Sequence, residues 1–187
     1  MANPKFSQDE VIIKLMDVFR KVGYDGASLS ELANATGLKK ASLYHRFPGG
    51  KKEMAEVVLA FVDGWVEENI TRVLFGKGSP ETRLRKVFTN IDQLYTGGKN
   101  PCVLESMAAG SGLPVFQQTI GKSFADIAHG FAHLARGFGF TPKRAEKMGM
   151  ETLIRIQGAL IVAQGTSDLT VFGNTIKDLK KQFRSVN

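Results

Sequence analysis

Six of the eight residues at positions 39–46 carry side chains that donate hydrogen bonds or hold positive charge. They are Lys39, Lys40, Ser42, Tyr44, His45 and Arg46. Cations and donors of these types bind anionic groups such as phosphate oxygens. The chemistry that this segment offers is therefore recognition of an anionic surface.

A helix is needed to turn these side chains away from the core. Leu43 and Phe47 are four residues apart, so both can point inward from one face of a helix. Pro48 disfavours the α region in the residue before it, and the two glycines that follow favour a turn. The pattern predicts a short helix from about residue 40 to 47 with its donors on the outer faces.

A second short helix is predicted directly before this one. Ser28 and Glu31 have the spacing of a capping box, in which the hydroxyl and the carboxylate each accept a hydrogen bond from a backbone N–H at the helix start. The helix therefore begins at Leu29, and Gly37 stands where a residue with positive φ would end it. Two short helices joined by a turn of about three or four residues form a helix-turn-helix.

This stretch closely resembles the N-terminal domain of the TetR family of repressors. The residues that carry the resemblance are Leu43, Tyr44, His45, Phe47 and Lys51. The run from His45 to Lys51 is similar to one branch of the family, the repressors related to flavonoid- and lincomycin-responsive regulators. Two positions depart from the family pattern, with Lys39 where a small capping residue is usual and Ala41 where a glycine is usual.

The resemblance implies that the second short helix enters the major groove of double-stranded operator DNA. The predicted DNA-contacting residues are Ser28, Lys39, Lys40, Ser42, Tyr44, His45 and Lys51. Tyr44 matches the family tyrosine, which implies a phosphate contact, while Lys40 and Ser42 are better placed for base edges. Ser28 and Lys51 each lie at a predicted helix start, where backbone N–H groups favour an anion, so they are expected to clamp the DNA backbone.

Composition agrees with a nucleic-acid partner. The chain has a formal charge of +7, and residues 1–52 contribute nine Lys/Arg against five Asp/Glu. This excess lies at the end of the chain that the motif assigns to DNA. Cys102 is the only cysteine, which excludes an intrachain disulfide and favours a reducing cytoplasm. No signal peptide or membrane span is expected, because charges or glycines interrupt every apolar stretch.

The remainder of the chain has helical periodicity throughout and no strand alternation. The predicted helices cover about 7–22, 51–75, 80–95, 102–109, 116–138, 142–164 and 168 onward, with Val186 on the apolar side of the last one. Because the helix from Lys51 is too long for a three-helix domain, it is expected to connect two domains. The predicted fold is all-α, with a helix-turn-helix domain over 1–50 and a helical ligand-binding and dimerisation domain over 51–187.

Enzyme and metal-binding alternatives have little sequence support. The chain lacks the nucleophile elbow, the phosphate-cradling loop, the dinucleotide fingerprint and the zinc motif of metalloproteases. Asp126, His129 and His133 share one helix face and either bind a metal ion or form a solvated surface. Cys102 is either a redox or electrophile sensor or a packed thiol. Glu105 is either a surface carboxylate or a polar anchor in a pocket.

The phenylalanines of the central helices also allow two interpretations. Phe88, Phe116, Phe124 and Phe131 are most simply core residues. The resemblance implies a ligand cavity among the corresponding helices, and a core rich in Phe, Met and Gly suits a flat apolar effector. The residues predicted to line it are Trp65, Phe88, Cys102, Glu105, Met107, Phe116 and Phe131. No cofactor is expected.

A homodimer is expected because one short recognition helix reads too few base pairs for specific binding. The resemblance places the interface on the last two helices. The predicted interface residues are Ala159, Leu160, Ala163, Phe172, Ile176, Leu179 and Phe183; the alternative is that these stripes pack within one chain. The sequence thus predicts a ligand-responsive transcriptional repressor that is not an enzyme. The alternative is a helical small-molecule carrier or enzyme with a basic N-terminal domain.

Overall fold

A computed structural model describes residues 7–185. All regular structure in that range is helical, as predicted. The α-helices are α1 (Gln8–Gly26), α2 (Leu29–Thr36), α3 (Lys40–Arg46), α4 (Gly50–Val66), α5 (Arg72–Phe75), α6 (Pro80–Tyr95), α7 (Val103–Met107), α8 (Gly112–Gly137), α9 (Pro142–Gly165) and α10 (Thr170–Arg184). Val186, which the sequence placed on the last helix, lies outside the described residues.

The chain forms two compact units. The first unit takes the chain up to Asp63 together with Val103–Ile120, and the second takes Gly64–Cys102 and the chain from Gly121 onward. The predicted domain boundary at residue 50 falls within the first unit. Both α4 and α8 continue from one unit into the other.

In the first unit, α1 packs against α2 and α7, and α2 packs against α3. The inward side chains of α1 are spaced at three and four residues, as the sequence predicted, and Val11, Leu15 and Phe19 are buried. A capping box between Ser7 and Glu10 starts the helix. Gly23 breaks its helical geometry with a φ of +68°, so regular helix ends where the sequence predicted.

The long helix predicted over 51–75 is interrupted. Between α4 and α5 the segment Glu67–Thr71 is π-helical. The side-chain amide of Asn69 donates to the carbonyl of Trp65 at 3.0 Å, and the side-chain amide of Asn90 donates to the carbonyl of Asn69 at 2.7 Å. These bonds satisfy two backbone carbonyls at the π-helical segment, where the helical register changes in a way that side-chain periodicity does not reveal.

In the second unit, α6 packs against α5 and α10, and α10 packs against α9. Ser79 caps α6 and accepts a hydrogen bond from the Thr82 N–H, with Pro80 in the first turn as predicted. The core contains an aromatic cluster in which the ring centroids of Phe88 and Phe131 are 5.6 Å apart. The ring centroid of Phe183 lies within 6.4 Å of both. These rings and their aliphatic neighbours hold the helices of this unit together.

The residues predicted for the dimer interface pack within one chain, which is the alternative that the sequence left open. Ala159, Leu160, Ala163, Phe172, Ile176, Leu179 and Phe183 are all buried within a single chain. The reason is that α9 and α10 turn these apolar stripes towards each other and towards the core of their own unit, so the stripes have no free area for a partner. The apolar side chains that α9 leaves exposed lie on its other face and include Met150, Ile154 and Ile161.

Two further predicted boundaries need correction. The helix predicted over 102–109 covers only Val103–Met107, because positive φ at Gly110 turns the chain towards α8. The last helix begins two residues later than expected, at Thr170. Within the described range, no helix combines the length and the apolar character that crossing a bilayer requires.

Candidate nucleic-acid interface

The exposed face of α3 carries the candidate interface. Lys39, Lys40, Ser42, Tyr44 and His45 are all exposed. Leu43 and Phe47 are buried and anchor the opposite face. The helix therefore presents cations and hydrogen-bond donors to solvent, as the sequence predicted.

Local signals in α2 position this face. The Ser28 side chain accepts from the Glu31 N–H at 3.2 Å, and the Glu31 carboxylate accepts from the Ser28 N–H at 2.8 Å, which completes the predicted capping box. Hydrogen bonding to Ser28 lowers the pKa of the Glu31 carboxyl. The backbone N–H of Ser28 has the larger effect and its side chain the smaller one. Gly37 ends the helix with a φ of +68° and donates to the carbonyls of Ala33 and Asn34.

The turn after α3 is held by α4. The backbone N–H of Gly49 donates to the Glu53 carboxylate at 2.6 Å. Gly50 has a φ of +67°, a conformation that favours glycine, and a Cβ placed there would lie 3.5 Å from the Tyr44 ring. The edge of the Tyr44 ring thus lies close to the start of α4, while the residue as a whole stays 45% exposed.

Lys51 and Ser28 differ from the other five predicted contacts. The Lys51 ammonium donates to the carbonyl of Tyr24 at 2.9 Å and lies 4.5 Å from the centre of the Tyr24 ring. The N–H and hydroxyl of Ser28 are both used in the capping box. Lys51 is thus a tie within the first unit. Their roles as clamps on the DNA backbone stay predictions.

Sequence reasoning missed the partner of Lys51 because Tyr24 lies 27 residues earlier. The sequence signal for this contact is the residue types alone, since a lysine and an aromatic residue form a favourable cation–π contact. That signal does not identify which aromatic residue is the partner.

The predicted ligand-lining residues fall in both units. Phe88 and Phe131 contact each other in the aromatic cluster of the second unit. Half-buried Trp65 and buried Cys102 belong to the same unit. Met107 and Phe116 are buried in the first unit, where Phe116 contacts the edge of Tyr24 at 5.1 Å. Glu105 is exposed and lines a cleft of about 290 Å³ with Tyr24 and Asp25.

Two of the three side chains suggested as metal ligands, Asp126 and His133, have other contacts. The Lys122 ammonium donates to the Asp126 carboxylate at 2.7 Å, and the His133 ring contacts the Phe75 ring at a tilt, with ring centroids 4.7 Å apart. Burial and the charges of Arg83 and Arg136 lower the pKa of His133. Across residues 7–185, no three His, Cys, Asp or Glu side chains are grouped so that they could hold a metal ion.

Comparison with known proteins places this interface in a family context. Residues 14–58 match the model of the bacterial regulatory proteins of the tetR family. An uncharacterised HTH-type transcriptional regulator of Lactococcus lactis is 22% identical over 98% of this chain and 96% of its own. A TetR transcriptional regulator from Legionella pneumophila has a TM-score of 0.82 at 18% identity, over 96% of this chain and 98% of the other.

A third similar protein is a cysteine mutant of the TetR family transcriptional regulator CifR, whose structure is a complex with 26-bp double-strand operator DNA. It has a TM-score of 0.77 at 18% identity and both chains are covered over 100%. These matches support a TetR family regulator and confirm the all-helical fold class. The relatives named here are transcriptional regulators and not enzymes, in line with the expectation for this chain. The flavonoid- and lincomycin-responsive branch is not confirmed, because the relatives are distant.

Proposed function

We propose that this protein is a transcriptional repressor that binds double-stranded operator DNA as a homodimer and is released by a small apolar or aromatic effector. In this proposal residues 1–50 bind DNA, residues 51–187 bind the effector and dimerise, and the protein works in the cytoplasm. The single observation that carries the proposal is the exposed face of α3. Its five donors and cations project from a helix that Leu43 and Phe47 anchor in the core.

The geometry of that face supports readout of DNA. A short helix with its polar face in solvent fits the major groove, where Lys and Ser donate to base edges. Tyr44, which rests against Gly50, is suited to a phosphate. The CifR relative is described in complex with operator DNA, and the two chains are similar over their full lengths.

The test is a footprint on the DNA that flanks the gene of this protein. We expect protection of a palindromic site whose half-sites are about 34 Å apart or a multiple of that spacing. A competitor duplex of scrambled sequence should bind weakly and lose its affinity steeply as salt rises. Equal affinity for the two duplexes at every salt concentration would contradict the proposal and favour a basic carrier or enzyme.

Support for a homodimer comes from the exposed face of α9. Met150, Ile154 and Ile161 lie on one helical stripe and are 48%, 60% and 55% exposed. Gly158 and Gly165 interrupt the same stripe, and a Cβ on either would meet nothing within 4 Å. A helix that is apolar on its solvent side has a partner to bury that surface against. A second copy of the chain supplies the same stripe by two-fold symmetry.

Support for an apolar effector comes from the aromatic cluster of the second unit. Phe88 and Phe131 are fully buried with ring centroids 5.6 Å apart. Because the two rings are already in contact, an effector has to separate them, and a flat apolar molecule that did so would gain stacking and burial. By reciprocity an effector that weakens operator binding is itself bound more weakly when operator is present, with a typical coupling of about 1–3 kcal/mol.

An operator titration against a panel of planar aromatic compounds tests this part. Phe88→Leu should shift the concentration of compound that releases the operator by about tenfold or more, because it removes a stacking surface. Phe172→Leu is a matched control, since Phe172 is also buried in the second unit but contacts Tyr95. Equal shifts in the two variants would place the effector elsewhere.

A further inference from the structure

Within the first unit, the end of α1 is fastened to the turn between α7 and α8. The Asp25 carboxylate accepts a hydrogen bond from the Ser111 backbone N–H at 2.9 Å and a second one from the Ser111 hydroxyl. Both bonds lower the pKa of the Asp25 carboxyl, and the bond from the Ser111 hydroxyl has the larger effect. Eighty-six residues separate the two partners, so the contact is a feature of the fold and not of the local sequence.

The backbones around this contact approach so closely that glycine is required. Gly110 has a φ of +56°, and a Cβ placed there would overlap the Asp25 carboxylate. Gly23 has a φ of +68°, and a Cβ placed there would lie 2.8 Å from the Ser106 carbonyl oxygen. The Ser106 hydroxyl donates to the carbonyl of Arg20 at 3.0 Å. Two glycines and two serines thus shape this junction.

The same end of α1 also reaches the start of α4. The residue before Asp25 is Tyr24, whose carbonyl accepts from the Lys51 ammonium and whose ring contacts Phe116 in α8. Two consecutive residues of α1 therefore connect the α7–α8 turn on one side and the first turn of α4 on the other. The first turn of α4 in turn supports Tyr44 of the candidate interface through Gly50.

We propose that Asp25 and Ser111 form a clasp that holds the DNA-binding unit in the arrangement that binds operator. This inference rests on the proposed function. The segment Val103–Ile120 continues into the second unit at both of its ends, so a change that pulls on either end acts on the clasp. Both partners are exposed, and Asp25 lines the cleft that contains Glu105, so the hydrogen bonds between them can break without exposing the core. Asp25 and Ser111 are positioning residues and are not DNA contacts.

A double-mutant cycle separates this role from a general electrostatic one. Asp25→Ala removes both hydrogen bonds, whereas Ser111→Ala removes only the bond from the hydroxyl. We expect Asp25→Ala to lower operator affinity by about fivefold or more, the lower end of typical allosteric coupling. Ser111→Ala should lower it less, and the double variant should equal Asp25→Ala, because the two side chains act through one contact.

Asp17→Ala is the matched control. Asp17 is also an exposed aspartate of α1 and pairs with Arg20 at 3.3 Å. Both substitutions raise the net charge by one unit, which strengthens DNA binding by itself. The clasp therefore predicts opposite signs, with weaker binding for Asp25→Ala and unchanged or tighter binding for Asp17→Ala. Asp25→Asn, which keeps the shape and a single accepting oxygen, should retain part of the affinity.

Hydrogen exchange of the free protein gives a readout that does not depend on DNA. Asp25→Ala should speed exchange of amides in residues 103–116 relative to wild type, while Asp17→Ala should leave them unchanged and both variants keep the wild-type melting temperature. If wild type binds no operator while this exchange difference is found, the proposed function fails and the clasp stands as a contact. If wild type binds operator and the two alanine variants bind equally, the clasp proposal is overturned.

Discussion

The exposed faces of α3 and α9 show opposite chemistry on the same architecture. Each helix buries one apolar stripe, with Leu43 in α3 and Leu160 in α9 among the buried residues. Towards solvent, α3 presents cations and hydroxyls, whereas α9 presents Met150, Ile154 and Ile161. A cationic face suits an anion such as DNA, and an apolar face suits another protein surface.

The comparison teaches that the solvent side of a helix, and not its stripe of buried residues, indicates the partner. The sequence pattern predicts a dimer interface on the apolar stripes of α9 and α10, and the structure buries these stripes in the core of the second unit. On α3 the exposed polar side chains were the ones that the sequence assigned to DNA. The following predictions test whether the two exposed faces have the two partners proposed.

The largest effect is expected from the double substitution Ile154→Glu and Ile161→Glu. It places carboxylates on the apolar stripe of α9, and burying them against a second copy is costly. We expect sedimentation to show a monomer at micromolar concentration. Operator affinity should fall by about 100-fold or more, because two linked half-site contacts become one.

Val115→Glu serves as a control for that variant, since Val115 is also an exposed β-branched residue but belongs to the first unit. It should leave the sedimentation profile unchanged. A dimer that persists in the double glutamate variant would show that α9 is not the interface.

The next effect is expected on the other face. Lys40→Ala removes a side chain that is proposed to reach a base edge, so the ratio of specific to non-specific affinity should fall about tenfold or more. Lys177→Ala removes the same charge from an exposed position on α10 and should change that ratio little. Titrations of operator and scrambled duplexes at one salt concentration measure both. A similar uniform loss on both duplexes would mean that Lys40 contacts phosphate.

The features that the sequence predicted well depend on near neighbours. The capping box of Ser28 and Glu31, the positive φ of Gly37 and the buried anchors Leu43 and Phe47 involve residues at most four positions apart. The exposed face of α3 follows from those anchors by helical geometry. This is why the five residues that the sequence predicted at positions 39–45 as DNA contacts are all exposed.

The features that sequence reasoning missed depend on distant partners. The tie from Lys51 to Tyr24, the bond from Asn90 that supports the π-helical segment, and the clasp of Asp25 with Ser111 join residues 21 or more positions apart. Periodicity shows that a helix has an apolar side but does not show which element covers it. The same limit explains why the sequence could not decide whether the apolar stripes of α9 and α10 face a second copy or the core of their own chain, where they are buried.

A smaller effect tests the local signals that support α3. Gly37→Ala forces a Cβ into the left-handed region at φ +68°, which should lower the free energy of unfolding by about 1 kcal/mol. Gly173→Ala is the opposite case, since Gly173 lies in α10 and a Cβ there would meet nothing within 4 Å. That substitution should raise the free energy of unfolding by up to about 1 kcal/mol. Urea denaturation of both variants measures the difference, and a loss of stability in Gly173→Ala would contradict it.

The smallest effect concerns the pH dependence of the α2 cap. The hydrogen bond from the Ser28 backbone N–H, followed by that from its side chain, lowers the pKa of Glu31 from its ordinary 4.5. Because the pKa is lower in the folded state, Glu31 stabilises the fold fully above pH 4.5, and this contribution is lost as the pH falls through the lowered value. Glu31→Gln keeps an oxygen that accepts from Ser28 but does not titrate. The difference in melting temperature between wild type and Glu31→Gln should therefore shrink as the pH falls from 6 to about 3.

Glu10→Gln makes the same test in the capping box of α1. The difference in melting temperature between wild type and this variant should shrink in the same way, because the Ser7 backbone N–H and side chain lower the pKa of Glu10 as well. A difference that stays constant over this range would show that neither cap contributes to the acid sensitivity of the fold.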